Sequence, residues 1–185
     1  MNSTPVFQLA IRTKFGLRFP LNQADTMIMT RSTSFLPLLL ATLTVASAAN
    51  WPNWRGPTGN SVSPETAFAT RWSATENVLW KTKLPDRGNS SPIVWGDKVF
   101  VTQAIEKEGR RTVMAFDRKT GNQLWQSGTV FKTEERTHDA NPYCSASPTT
   151  DGERVYAGFG SAGIFCFNMD GKELWHRDLG PQNHV

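Results

Sequence analysis

The sequence is short of most residues that advertise chemistry. It holds only two cysteines, Cys144 and Cys166, in 185 residues. They are neither adjacent nor part of a CxxC or Cys/His cluster, so a structural zinc site has no support. No acidic group shows metal-ligand spacing. No apolar run reaches the roughly 18 residues a membrane helix needs. Helical periodicity is absent over any useful length, and tyrosine is scarce, with two against seven tryptophans and eleven phenylalanines. The formal charge of +4 is modest. Arg12, Lys14, Arg18 and Arg31, set against Asp25 alone, carry most of it. The remainder is close to neutral with signs interspersed, which excludes a nucleic-acid footprint.

What is present begins with an export signal. Phe35 to Val45 is a short apolar run after Arg31, broken by Pro37, and Ala46-Ser47-Ala48 supplies the small residues a signal peptidase requires. Residues 1–48 therefore read as a signal peptide with an over-long basic region, and Met27 or Met29 is the expected true start. The expected location is periplasmic or extracellular. In such a compartment Cys144 and Cys166 could form a disulfide; the alternative is two small buried hydrophobes.

Residues 49–76 form a leader rich in Trp, Pro and Gly, opening Trp51-Pro52-Asn53-Trp54-Arg55-Gly56-Pro57. It lacks strand periodicity, so it is expected to fold back on the body and bury its tryptophans. From residue 77 the texture is that of short strands and tight turns. Val78 to Thr82 alternates as a strand. Ser91 to Trp95, the Gly96-Asp97 turn and Lys98 to Thr102 form a hairpin. The pair closing that unit is Thr112 to Asp117 and Leu124-Trp125, joined by a polar turn. The order returns as Ser147-Pro148, Asp151-Gly152, Val155 to Ala157, Ile164 to Asn168 and Leu174-Trp175. Four short strands recurring about every 40–50 residues indicate β-propeller blades rather than a sandwich.

The repeated Ala-Phe-Asp-x-x-Thr-Gly-x-x-x-Trp resembles the tryptophan-docking repeat of the pyrroloquinoline-quinone-like β-propeller superfamily, exported bacterial type. The resemblance places the docking motif on Asp117, Thr120, Gly121 and Trp125. It falls again on Asn168, Gly171 and Trp175, one residue shorter and without the threonine, so the second turn is expected to be looser. Trp80 ends an incomplete first unit. The implied fold is all-β, with residues 77–185 an incomplete propeller of two to three blades. Because propellers run from about four to eight blades, the chain reads as the N-terminal portion of a longer protein.

Function is less legible, since members of one fold serve different ends. The family's dehydrogenases use an adjacent Cys-Cys wall and an aspartate base beside Ca²⁺ to hold the quinone. This sequence shows neither, so no cofactor is supported, and pyrroloquinoline quinone with Ca²⁺ enters only if the chain is a dehydrogenase fragment. Gly158-Phe159-Gly160-Ser161-Ala162-Gly163 matches G-x-G-x-x-G, yet a strand rather than a helix is expected next, which makes it a hairpin and not a phosphate cradle. The most functional-looking loop is Thr137 to Tyr143, with His138, Asn141 and Tyr143 as binding candidates against an inter-blade packing role. The leading expectation is a non-catalytic exported scaffold for a protein or polymer partner, without nucleic acid and without a membrane span.

Overall fold

A computed structural model describes residues 8–9, 49–66 and 69–182, so the predicted signal segment lies outside the described residues apart from a two-residue strand. The strands in chain order are β1 (Gln8–Leu9), β2 (Thr82–Lys83), β3 (Ile93–Trp95), β4 (Lys98–Ile105) and β5 (Arg110–Asp117). They continue with β6 (Gln123–Val130), β7 (Thr149–Thr150), β8 (Arg154–Gly158), β9 (Ile164–Asn168) and β10 (Glu173–Arg177). β1 pairs only with β2, while β3-β4-β5-β6 and β7-β8-β9-β10 form two four-stranded antiparallel sheets in sequential order. Among the described residues the remaining regular structure is two 3₁₀ turns, Glu106–Glu108 and Gly160–Ala162. These sheets are the two blades of an incomplete propeller.

Burial explains why the inner strands are apolar on both sides. β4 and β5 are each buried at six consecutive positions, which an ordinary half-exposed strand would not tolerate. One face of the first blade presents Ile93, Phe100, Ala104, Val113 and Ala115 to Val155, Ala157, Phe159, Phe165 and Phe167 of the second. The opposite face presents Val94, Val99, Val101, Met114 and Phe116 to Trp80 and Leu84. Fully burying one such side chain contributes about 1.5–3 kcal/mol, so the stacked faces rather than any single sheet hold the pair together.

The leader behaves as an anchor at the inner strands. Trp51 exchanges backbone hydrogen bonds with Val94 of β3 at 2.8 and 2.9 Å. Pro52 then accepts from the Thr150 N–H of β7 at 2.9 Å. Its tryptophans diverge from expectation. Trp51 is half-buried against Gly56, whereas Trp54 stays 66% exposed. The predicted strand over 78–82 shrinks to Thr82–Lys83. Asn77 takes a positive φ of 56°, and Trp80 turns into the first blade's face instead of alternating along a ladder.

Each blade places its turns at two ends. At one end the β3–β4 and β5–β6 turns meet, where the Arg118 N–H donates to Asp97 O at 2.8 Å. At the other, the β4–β5 turn meets the long β6–β7 connection, where the Phe131 N–H donates to Gly109 O at 2.7 Å.

Candidate functional site

The end carrying the Asp117 turn contains the predicted docking residues, and all of them but Trp175 either hold a turn or dock on one. Asp117 Oδ1 accepts from the N–H groups of Lys119 and Thr120 at 2.9 and 2.7 Å and from Thr120 Oγ1 at 2.9 Å. The Thr120 hydroxyl contact is the largest influence holding that carboxyl below its ordinary range. Gly121 sits at φ 73°, in the left-handed region, and a Cβ there would overlap the Trp80 indole. Trp80 Nε1 donates to Arg118 O at 2.9 Å, and Thr82 Oγ1 donates to Gly121 O at 2.7 Å.

The second joint repeats the first one unit along. Trp125 lies against Gly171, donates from Nε1 to Met169 O at 3.0 Å, and is seconded by Ser127 Oγ on Gly171 O at 2.5 Å. Each tryptophan thus docks on the turn of the following unit rather than its own. Asn168 Oδ1 accepts only two N–H groups, from Asp170 at 3.0 Å and Lys172 at 2.8 Å, which is the looser turn. Trp175 is 44% exposed, with its ring 6.1 Å from Tyr156.

A bulge aims these rings. The ladder passes from Ala115↔Trp125 to Phe116↔Gln123 and from Cys166↔Trp175 to Phe167↔Glu173, leaving Leu124 and Leu174 unpaired. Both leucines, like Leu79 before Trp80, remain nearly half exposed; Trp80 and Trp125 turn onto the glycine of the following turn, whereas Trp175 stays exposed beside Tyr156 of its own blade. The Leu-Trp dipeptide at all three places was the available signal.

At the opposite end the decisive residue is Arg111, which no motif marked. Its guanidinium is 3% exposed and lies between two rings, 4.3 Å from the Tyr143 centroid and 4.7 Å from that of Phe131. Nη1 donates to Phe159 O of the second blade at 2.6 Å, and Nη2 lies 2.5 Å from Glu135 Oε2. Glu135 also accepts from the Ser161 N–H at 3.1 Å. Burial pushes the Glu135 carboxyl up, but hydrogen bonds from Ser161 and Arg111 outweigh it and hold the group below the usual glutamate range. One cation therefore clamps the β6–β7 connection and both blades.

Of the three predicted loop residues, Tyr143 belongs to this clamp. Its hydroxyl donates to Glu135 O at 2.7 Å and accepts from the Glu135 N–H at 2.9 Å. His138 Nδ1 accepts from the Ala140 N–H at 3.1 Å inside its own loop, and Asn141 is met by Asn89 at 3.4 Å. His138 and Asn141 are exposed, so the structure does not join the three into one cluster. Around the clamp lie a cavity of about 520 Å³ between residues 131–136 and 178–182, and one of about 330 Å³ beside residues 106–111.

Among the described residues no three His, Cys, Asp or Glu side chains form a metal-holding group. Cys144 and Cys166 are both free and buried, so the disulfide considered above is not formed here. Burial pushes the Cys144 thiol up to about 12 and also raises Cys166. Cys144 sits in the inter-blade core, while Cys166 lies on β9 with its neighbours Phe165 and Phe167 turned to the opposite face. They pack as small hydrophobes. The G-x-G-x-x-G stretch is the β8–β9 hairpin, followed by a strand.

The family model described as outer membrane protein assembly factor BamB matches residues 62–185. The chain belongs to that family. It is thereby a member of the pyrroloquinoline-quinone-like propeller superfamily. Similar solved structures include BamB from Moraxella catarrhalis, at 24% identity and TM-score 0.41, covering 56% of this chain and 27% of that one. A europium-containing methanol dehydrogenase follows at 20% and 0.43, covering 59% and 28%. Quinohemoprotein alcohol dehydrogenase ADHIIG from Pseudomonas putida HK5 shows 24% and 0.40, covering 56% and 16%. The chain spans under a third of the length of each. Among curated proteins nothing matches it. In this BamB-like propeller the docking end is occupied by architecture, which leaves the Arg111 end as the candidate site.

Proposed function

We propose that the chain is an exported, non-catalytic propeller scaffold that binds another protein, or a polymer, through the loops at its Arg111 end. The observation that carries this is a division of labour. The motif residues at one end are consumed by the blade joints, whereas at the other the clamped connection holds two cavities open. The family description, an assembly factor of the outer membrane, supports a polypeptide as partner and the cell envelope as location. The signal-like segment before Ala49 agrees with export. Among the described residues no helix is long and apolar enough to cross a membrane. His138 and Asn141 then serve as exposed contact positions, and Tyr143 as the post that holds the loop.

Photo-crosslinking tests this. A photoreactive side chain is placed at Glu134 or His138 of the full chain in its native envelope, and at Lys119 on the docking end as the comparison. A discrete polypeptide adduct from the first two positions and none from the third is expected. Adducts independent of position would refute the assignment of the binding end. Stoichiometric uptake of pyrroloquinoline quinone with Ca²⁺, read by the quinone absorbance, would instead favour a dehydrogenase fragment.

A further inference from the structure

Residues 131–138 continue from β6 as an extended stretch without a bend. Phe131 and Glu135 point inward and are half-buried; the six others are exposed. Among the described residues the backbone of 131–137 is tied at two points, the Phe131 N–H on Gly109 and the Tyr143 hydroxyl on both backbone groups of Glu135, and the Glu135 side chain adds Arg111 and Ser161. Among the described residues the N–H and C=O groups of Lys132, Thr133, Glu134, Arg136 and Thr137 have no protein partner. An extended segment with open backbone groups is a template for another strand. Here the template is held straight by a buried clamp, and the two cavities run along it, sharing Phe131, Thr133 and Glu134 in their walls.

We propose that residues 131–137 are a strand-addition site, receiving an extended segment of another polypeptide in the larger cavity, between this stretch and residues 178–182. At about 3.3 Å per residue the stretch offers roughly 20 Å of pairing length. Charge narrows the occupant. Glu135 is occupied by Arg111, which leaves Glu134 and Asp178 against Arg136 in the cavity wall, so the incoming segment carries a lysine or arginine near its centre. This rests on the reading of the chain as a protein-binding scaffold and adds to it the mode of recognition and the chemistry of the bound segment.

The test uses the full chain and a fluorescein-labelled nonapeptide of alternating Thr and Val with a central Lys, read by fluorescence polarisation. Binding is expected to fall about tenfold when alternate residues are N-methylated in one phase, and little when the methyl groups shift to the other phase, because only one edge pairs. Central Lys→Glu in the peptide should also weaken binding. Thr133→Pro in the protein should abolish it with an unchanged melting temperature. Equal affinity for both N-methylated peptides, or no binding to any of them, overturns the proposal. If the crosslinking adduct at Glu134 persists in that case, the scaffold reading stands and only strand addition fails.

Discussion

Replacing Gly121 by alanine isolates the joint between units. The residue has φ 73°, so any side chain there meets a left-handed backbone penalty of about 1–2 kcal/mol. The new methyl would also overlap the Trp80 ring, which is only 9% exposed and anchored by its hydrogen bond to Arg118 O. Forcing an overpacked contact of this kind costs about 1–3 kcal/mol. The expected total is about 2–5 kcal/mol. Gly96, in the β3–β4 turn of the same blade, supplies the control: its φ is 56° but no atom lies within 4 Å of where a Cβ would be. Gly96→Ala should therefore show the backbone penalty alone. Equilibrium urea unfolding of the full chain, followed by tryptophan fluorescence and circular dichroism, measures both. Adding Trp80→Ala to Gly121→Ala should recover part of the loss attributable to overlap, giving a non-additive cycle. Equal destabilisation by Gly121→Ala and Gly96→Ala, or strict additivity with Trp80→Ala, would refute the docking argument.

The other predictions concern the second anchor of each joint, the clamp and the thiols. Ser127→Ala and Thr82→Ala each remove a hydroxyl donor to a docked glycine carbonyl and should cost about 1 kcal/mol in urea unfolding. Arg111→Met leaves Glu135 without its cation and should cost about 2–4 kcal/mol, while Glu135→Gln costs less because the amide can still meet Arg111 and Ser161 as a neutral partner. Glu135 has its folded pKa depressed, so its contribution is present above the ordinary glutamate range and is lost as pH falls through the folded value. Melting temperature against pH should show an acid-side loss that Glu135→Gln diminishes. Cys144 and Cys166, buried and shifted toward the thiol form, should resist maleimide in the native chain, and both should label after unfolding without reductant. A covalent Cys144–Cys166 pair detected by mass spectrometry would contradict this.

The second joint shows how far sequence reasoning reaches. Trp125, Asn168 and Gly171 were recognisable because each satisfies a local demand: an aromatic after a turn, an oxygen to accept turn N–H groups, and a residue free to take positive φ. Which turn receives which tryptophan was not recognisable, because Trp125 meets Gly171 across a blade boundary. The strand expected at 78–82 failed for a related reason. Alternation there reflected Trp80 turning into a neighbouring sheet, not pairing within one. His138, Asn141 and Tyr143 were chosen together by residue type, and the fold separates the hydroxyl that holds a strap from two exposed polar side chains.

By itself the sequence determined the repeat, the all-β class and the tryptophan-docking turns, because a turn and its glycine are set by neighbours a few residues away. Only the tertiary structure decided that Arg111, flanked by Phe131 and Tyr143 and facing Glu135, is the hub of the candidate site. A buried guanidinium is tolerable only where rings, a carboxylate and a carbonyl converge on it, and those four groups reach Arg111 of β5 from the β6–β7 connection and the second blade. The tryptophan-docking motif thus belongs to the frame. The proposed binding face lies at the other end of the blades, where of the clamp residues only Tyr143 stood out in the sequence.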